Sequence, residues 1–517
     1  MAKYKKYNYS QMIMIPVSLQ DQLMPGTLEH AIHEVIEKKV DLSIFDEKYK
    51  NDETGAPAHD PKLLLKVVLL AFSRSIIGSR KIERACQENI TFMALSCGMA
   101  PDHSTLAHFI SAMKDEIIHI FRDVLLYCEE LNLLGGTHFS LDGCKLPSNA
   151  SKQWSGTFKE LRHKQKKLEE KVKKLISDHE REDKQEGGSD RSKKEKQIKR
   201  IERRIKRIDK FLNENKPKKG KTKKELQSNV TDNHSAKMPT AHGVIQGYNA
   251  QALVDNKHQI IVHAEAMGNG QDADNLSPMV DRAKENMKAI GRDENYFKDK
   301  ILTADANYHS KKNIEKCEKE RIDAYIPDTL HRKRDERFKE QDRFKDGVNK
   351  PPKKRWYTPK RETFSWKEFQ YVEEVGKYKC PAGKYLKQMS LKHKSRNKNY
   401  RYYQARETDC RECSLKSKCL SKTDSKSRSL LIPIGYRNDN ERILSISQRM
   451  QQKIDSDKGK DIYSKRLGTI EPVFGNIRFI KKLDRFSFRG KSKVNIQWML
   501  YCMVHNIEKI MNYGFTV

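Results

Sequence analysis

Three acidic residues stand where carboxylates could be brought together: Asp142, Asp305 and Glu471. Asp142 closes the strand-like segment THFSLDGCKL (137–146). Asp305 follows the short apolar strand KILTA (300–304), and Glu471 lies far downstream at a predicted helix start. Two carboxylates at the tips of neighbouring strands, with a third from a helix packed on the sheet, can converge on one pair of hard cations. Mg2+ favours oxygen ligands and keeps several waters, so a few carboxylates and phosphate oxygens suffice to hold it. Two such ions about 4 Å apart can activate a nucleophile and stabilise a leaving oxygen in phosphodiester displacement. Each acid alone also has an ordinary structural use. Asp142-Gly143 is a common turn dipeptide, Asp305 before a helix is a common cap, and Glu471 suits the positive end of a helix dipole.

A second chemistry-bearing set is Cys380, the close pair Cys410 and Cys413, and Cys419. A CxxC pair with two further cysteines can form a tetrahedral thiolate site for Zn2+, which would help fold a region with little apolar core. The other reading is a set of reduced, unliganded thiols. Cys86, Cys97, Cys128, Cys144, Cys317 and Cys502 read as isolated small apolar residues, and Cys144 has no paired histidine that would make it a nucleophile. There is no GxxxxGK[ST] loop, no HExxH and no dinucleotide glycine fingerprint, which argues against a nucleotide cofactor and against zinc-protease chemistry.

The elements that must position these residues are many. At 517 residues the chain has room for two to four domains. Its 103 Lys and Arg against 70 Asp and Glu give a net charge of +33, which suits a polyanionic partner because each neutralised phosphate releases counterions. The N-terminus has no signal-peptide pattern, and no apolar run approaches the ~18 residues of a bilayer span. The expectation is a soluble, cytoplasmic, nucleoid-associated protein that binds no membrane and keeps its thiols reduced.

Residues 1–135 read as helical. Asp60-Pro61 caps the apolar run 63–72, short helices follow at Ser79–Cys86 and Ile90–Cys97, and His103 opens another with Leu106, Phe109, Ile110 and Met113 on one face. Arg74, Arg80, Lys81 and Arg84 either face phosphate or form a solvated helix face. Residues 158–216 carry two apolar stripes, Leu161/Leu168/Val172/Leu175 and Ile198/Ile201/Ile205/Ile208/Leu212, separated by Gly187-Gly188, which predicts a charged helical hairpin. Strands are predicted at 244–254 and 258–267, joined by Asp255-Asn256-Lys257, with further strands at 300–304 and 321–326 and helices at 275–290 and from Ser310. Lys333–Arg361 is basic and poor in apolar residues. From Tyr463 the chain reads as helical, and a closing helix over 494–511 is apolar all round. The fold class is therefore α/β with a mixed sheet.

Several long segments, in chain order, resemble insertion-sequence DDE transposases. LDGCKLPSNAS (141–151), LTADANYHS (302–310) and YSKRLGTIEPVFGNIR (463–478) are similar to the three acidic motif regions of that family. DPKLLLKVVLLAFSRSIIGSRKIERACQENITF (60–92) with PDHSTLAHF (101–109) resembles its InsH-type N-terminal domain, and YNAQALVDNKHQIIVHAE (248–265) resembles the strand pair between the first two acids. The resemblance implies a ribonuclease H-like catalytic core split into 136–156, 227–328 and the C-terminal helical part 451–517. Around it stand an all-α DNA-binding domain at 1–135, the inserted hairpin at 157–226 and the basic, Cys-containing insertion at 329–450. It also implies Mg2+ or Mn2+ held by Asp142, Asp305 and Glu471, double-stranded DNA as partner, both element ends and target, and a homodimer on paired ends. Tyr463, Arg466 and Arg478 fill the family's Tyr, Arg and Lys positions around the third acid and, with Lys145, are expected to contact DNA. Two departures stand out: four residues rather than three separate Arg466 from Glu471, and Arg478 replaces a lysine. Pro472 also favours a helix beginning just after Glu471. The competing functions are a non-catalytic, repressor-like remnant that binds DNA and a nuclease on the same fold.

Overall fold

The computed structural model describes residues 18–48, 57–182, 191–220, 224–241, 243–338, 363–365, 368–395, 398–420, 425–433 and 445–515. The expected Gly187-Gly188 break, most of the basic run 333–361 and the first 17 residues lie outside these. The chain forms two compact units, Met1–His331 with Lys453–Val517, and Arg332–Gln452.

In the first unit the early helices begin where local chemistry starts them. Asp60 accepts the Lys62 backbone N–H at 2.7 Å, and Pro61 opens the helix Pro61–Ser73. Asp102 accepts from the Ser104 and Thr105 backbones and opens His103–Ala112. These caps satisfy N–H groups that the first turn leaves without partners. Pro61–Ser73, Leu28–Lys38 and Ile117–Glu130 pack on the closing helix Lys491–Tyr513, Phe72 meeting Tyr501 at 5.2 Å, and His103–Ala112 packs against Pro61–Ser73. That helix is buried around most of its circumference, as its sequence predicts, because its other side lies on the sheet.

The sheet has six strands: β1 (His138–Pro147), β2 (Ala236–Thr240), β3 (Gly243–Asp255), β4 (Ile261–Met267), β5 (Ile301–Ala304) and β6 (Asp323–Tyr325). Its order is β2–β3–β1–β5–β6, with β4 also paired to β3. β3 runs antiparallel to β1, β2 and β4, whereas β1, β5 and β6 are mutually parallel, which makes the sheet mixed as expected. The connections follow from that pattern, since parallel neighbours need helical crossovers: Leu276–Ala289 precedes β5, and Lys311–Lys319, capped by Ser310, joins β5 to β6. Asn506 of the closing helix bonds both the N–H and the C=O of Ile261, and Trp498 donates to the Gln251 carbonyl at 3.0 Å, fixing helix to sheet.

Two local expectations are corrected. Asp142-Gly143 does not end its strand: β1 continues to Pro147, with Gly143 opposite Gln251 and Lys145 opposite Asn249. A Cβ at Gly143 would stand 1.9 Å from Gln251 Nε2 and 2.6 Å from Asn249 Oδ1, so glycine here makes room for two amides rather than a turn. Nor does Pro472 start a helix; it lies inside Asp457–Gly475. Proline cannot donate to the carbonyl four residues back, and that carbonyl, of Gly468, accepts instead from Gln259 Nε2 at 3.0 Å. A π-helical turn, Asn476–Ile480, follows directly.

The charged segment forms helices Phe158–Glu182 and Arg191–Glu214, which pack on each other through Phe158, Leu161, Ile208 and Phe211. The second unit holds a five-stranded antiparallel sheet with a small core of Phe369, Leu386, Tyr403, Ala405, Leu430 and Ile432. Among the described residues no helix is long and apolar enough to cross a membrane.

Candidate active site

Register places the first two acids. β1 and β5 are parallel, with Leu141 opposite Ala304, so Asp142 and Asp305 are the next residues along two strands roughly 4.8 Å apart. Asp142 is flanked by strand on both sides. Asp305 follows the last residue of β5 and caps the turn Ala306–Tyr308, accepting the Asn307 backbone N–H at 2.8 Å and its side-chain amide at 2.9 Å. Burial, and then the negative charge of Asp142, push the Asp305 carboxyl up to about 6, against the Asn307 bond and the Arg466 charge. Neighbouring carboxylates in a partly buried site resist sharing negative charge.

The helix Asp457–Gly475 packs across β1, β3, β5 and β6. From it Arg466 donates Nη1–H to Asp142 Oδ2 at 2.8 Å, a pair joined across 324 positions of sequence. The Arg466 side chain is 9% exposed and that of Asp142 23%. Burial works against the Arg466 charge, but Asp142, Tyr463 and Asp305 outweigh it and its pKa is raised. The Tyr463 ring lies 5.9 Å from the Arg466 guanidinium and meets His331 edge-on.

The other expected residues fall differently. Glu471 is exposed, makes no hydrogen bond or ion pair among the described residues, and stands five residues beyond Arg466, about 140° around the helix axis. It is not gathered with Asp142 and Asp305. Arg478 lies in the π-helical turn beside Cys144, and its Nε is buried without a hydrogen-bond partner. Burial pushes the Cys144 thiol up to about 11, which keeps it protonated and unsuited to nucleophilic attack. Lys145 stands three positions along β1 from Asp142, opposite Asn249, and its charge acts on Asp272. Of the early basic residues, Arg84 pairs with Glu88 and Arg74 with Glu29, both on helix surfaces.

A third carboxylate at the site, Asp272, had no signal in the sequence, where GNGQDAD reads as loop. It is buried and accepts from Asn249 Nδ2 at 2.6 Å and Gln251 Nε2 at 3.1 Å, and burial raises its pKa. Tyr308 completes this layer: its hydroxyl donates to Gln251 Oε1, and burial with the charges of Asp142, Asp272 and Asp305 holds its pKa well above the ordinary value. Hard oxygens of high proton affinity suit a divalent cation, and here the aspartates supply them. Even so, among the described residues no three or more His, Cys, Asp or Glu groups form a set that could hold a metal ion.

A mixed α/β fold with two aspartates at adjacent strand positions is the class that the geometry defines. The chain matches the family described as Transposase DDE domain over residues 379–511, which include Arg466, Glu471 and Arg478, and the family described as Transposase domain (DUF772) over 17–112. These two matches support an insertion-sequence DDE transposase, and a DDE transposase domain implies a ribonuclease H-like fold. No curated protein matches the chain.

Proposed function

We propose that the protein is a DNA transposase that cuts at the ends of its insertion sequence and joins them to target DNA. Asp142, Asp305 and Glu471 would hold a divalent cation pair, Mg2+ or Mn2+. The observation that carries this reading is the register of β1 on β5, which sets Asp142 beside Asp305, together with the raised pKa of Asp305. When bound, such ions lower the pKa of water and polarise phosphoryl oxygens.

This chain's own groups do the positioning. Arg466 holds the Asp142 carboxylate, with the Tyr463 ring beside its guanidinium. Asn307 orients Asp305 through both amides. Glu471 would join them by rotation of the helix end on DNA; Pro472 and the π-helical turn interrupt regular bonding in that stretch. Water hydrolyses a phosphodiester at the element's end and frees a 3′-hydroxyl. That hydroxyl attacks a target phosphodiester at the same site, and the target's own 3′ oxygen leaves. The helices before residue 135, the charged hairpin and Arg478 and Lys145 would bind double-stranded DNA, consistent with the +33 charge. A homodimer acting in the cytoplasm on paired ends completes the proposal.

The test is a Mg2+-dependent strand-transfer assay with DNA carrying the flanking ends and a target plasmid. Joined product supports the proposal. Cleavage without joining would point to a nuclease, and binding without chemistry to a repressor-like remnant; either overturns it.

A further inference from the structure

The cysteines that the transposase chemistry leaves unused come together in the Arg332–Gln452 unit. Cys380, Cys410, Cys413 and Cys419 line one small cavity of about 30 Å3. They reach it from three separate elements. Cys380 sits in the tight turn between strands Lys377–Lys379 and Tyr385–Ser395, Cys410 and Cys413 lie in and just after the helix Glu407–Arg411, and Cys419 ends Lys416–Cys419. All four are half-buried and unbridged, and Cys419 is within electrostatic reach of the other three.

The turn at Cys380 is built as a thiolate cradle would be. The Gly383 N–H closes the turn on the Cys380 carbonyl at 2.8 Å with Gly383 left-handed at φ +82, and the Lys384 N–H donates to Cys380 Sγ at 3.3 Å. A backbone N–H aimed at sulfur favours its anionic form. Lys384, Lys416 and Arg428 also line the cavity. Arg428 bonds the Cys419 and Phe364 carbonyls at 2.8 and 2.7 Å, and its Nε is buried without a partner. Positive charge around four sulfurs offsets the net charge of about −2 that four thiolates and one Zn2+ would carry.

The unit also needs a staple. Among the described residues its buried hydrophobic cluster is six residues, with Cys380, Cys410 and Cys419 packed at its edge. A core that small stabilises a fold only marginally, and bound metal is a common remedy. Elsewhere thiols that matter only for packing are buried singly, as Cys128 and Cys502 are.

We propose that Cys380, Cys410, Cys413 and Cys419 form a tetrathiolate site for a structural zinc ion that ties the Cys380 turn to the two short helices. Each thiol gives its proton to solvent as its sulfur ligates. The four do not stand as a closed ligand set, since no such group is formed among the described residues. Closure asks the sulfurs to turn in toward the cavity, and one change of staggered position moves Sγ by about 3 Å.

The experiment measures zinc in the full-length chain purified without chelator. About one zinc per chain is expected, released by a thiol-blocking mercurial. Metal-free protein refilled with Co2+ should show intense thiolate-to-cobalt charge-transfer absorption and the visible bands of a tetrahedral site. The double variant Cys410→Ser/Cys413→Ser should lose the zinc and the cobalt spectrum, whereas Cys97→Ser, an exposed lone cysteine, should keep both. The cobalt spectrum of the wild type decides even where the double variant fails to fold. Zinc-free protein that gives no thiolate–cobalt spectrum, or zinc retained by the double variant, would overturn the proposal. Neither result bears on the aspartate site.

Discussion

Replacing Asp305 by asparagine should make the protein more stable at neutral pH. The folded chain holds this carboxyl near 6, against 3.8 for an unperturbed aspartate, chiefly by burial and then by the Asp142 charge. A folded pKa above the unfolded one means that the folded state binds the extra proton. Stability from Asp305 is therefore greatest below about pH 4, falls as pH rises toward 6, and stays lowered above it. At about 1.36 kcal/mol for each pH unit, the rise from 3.8 to about 6 sets a ceiling of about 3 kcal/mol, and water at this partly exposed site brings the expected effect to about 1–3 kcal/mol. Asparagine is neutral at every pH, and its carbonyl oxygen can still accept the Asn307 N–H that Asp305 accepts at 2.8 Å. Thermal unfolding in chelator should show Asp305→Asn a few degrees above wild type at pH 7.5 and level with it near pH 4. Adding Mg2+ should raise the wild type and not the variant. A variant no more stable than wild type at pH 7.5, or a difference that ignores pH, would refute the electrostatic reasoning.

Arg466→Ala removes the counter-charge of Asp142 within a largely buried pair, and should cost about 3 kcal/mol in unfolding free energy along with any DNA cleavage. Lysine should not restore cleavage, since it offers a point charge in place of the planar fork. Gly143→Ala places a methyl 1.9 Å from Gln251 Nε2. Because Gln251 is held by Asp272 and Tyr308, denaturant titration should show a loss of about 1–3 kcal/mol. Asp272→Asn withdraws one of the negative charges that raise the Asp305 pKa, so carboxyl NMR titration should show Asp305 ionising at lower pH; an unchanged titration would remove Asp272 from the site.

Much of this arrangement was legible because local signals start the elements. The caps at Asp60, Asp102 and Ser310, the strand-forming runs of β3 and β4, and the apolar circumference of the closing helix are each written in a few adjacent residues. What misled were signals with two meanings. Asp-Gly favours turns, but here glycine clears space for Asn249 and Gln251 on a neighbouring strand. Proline breaks helices, but Gln259 satisfies the carbonyl that Pro472 leaves free. The Arg466–Asp142 pair and the placement of Asp272 depend on contacts between distant segments, which no local pattern encodes. Arg466 could be picked out only through the family pattern, and Asp272 not at all. For Glu471 the motif supplied a position, while the fold leaves its side chain in solvent.

The most direct test of the central claim is single-turnover cleavage of DNA carrying the element ends, with Mg2+, by wild type, Asp142→Asn and Asp305→Asn at concentrations where all three are shown to bind that DNA. Asparagine removes the charge and keeps the shape, so both variants should bind normally and cut at least a thousandfold more slowly, the loss of roughly 4 kcal/mol expected when a metal-holding carboxylate is removed. Cleavage near the wild-type rate by either variant would contradict the assignment of the adjacent aspartates as the catalytic pair.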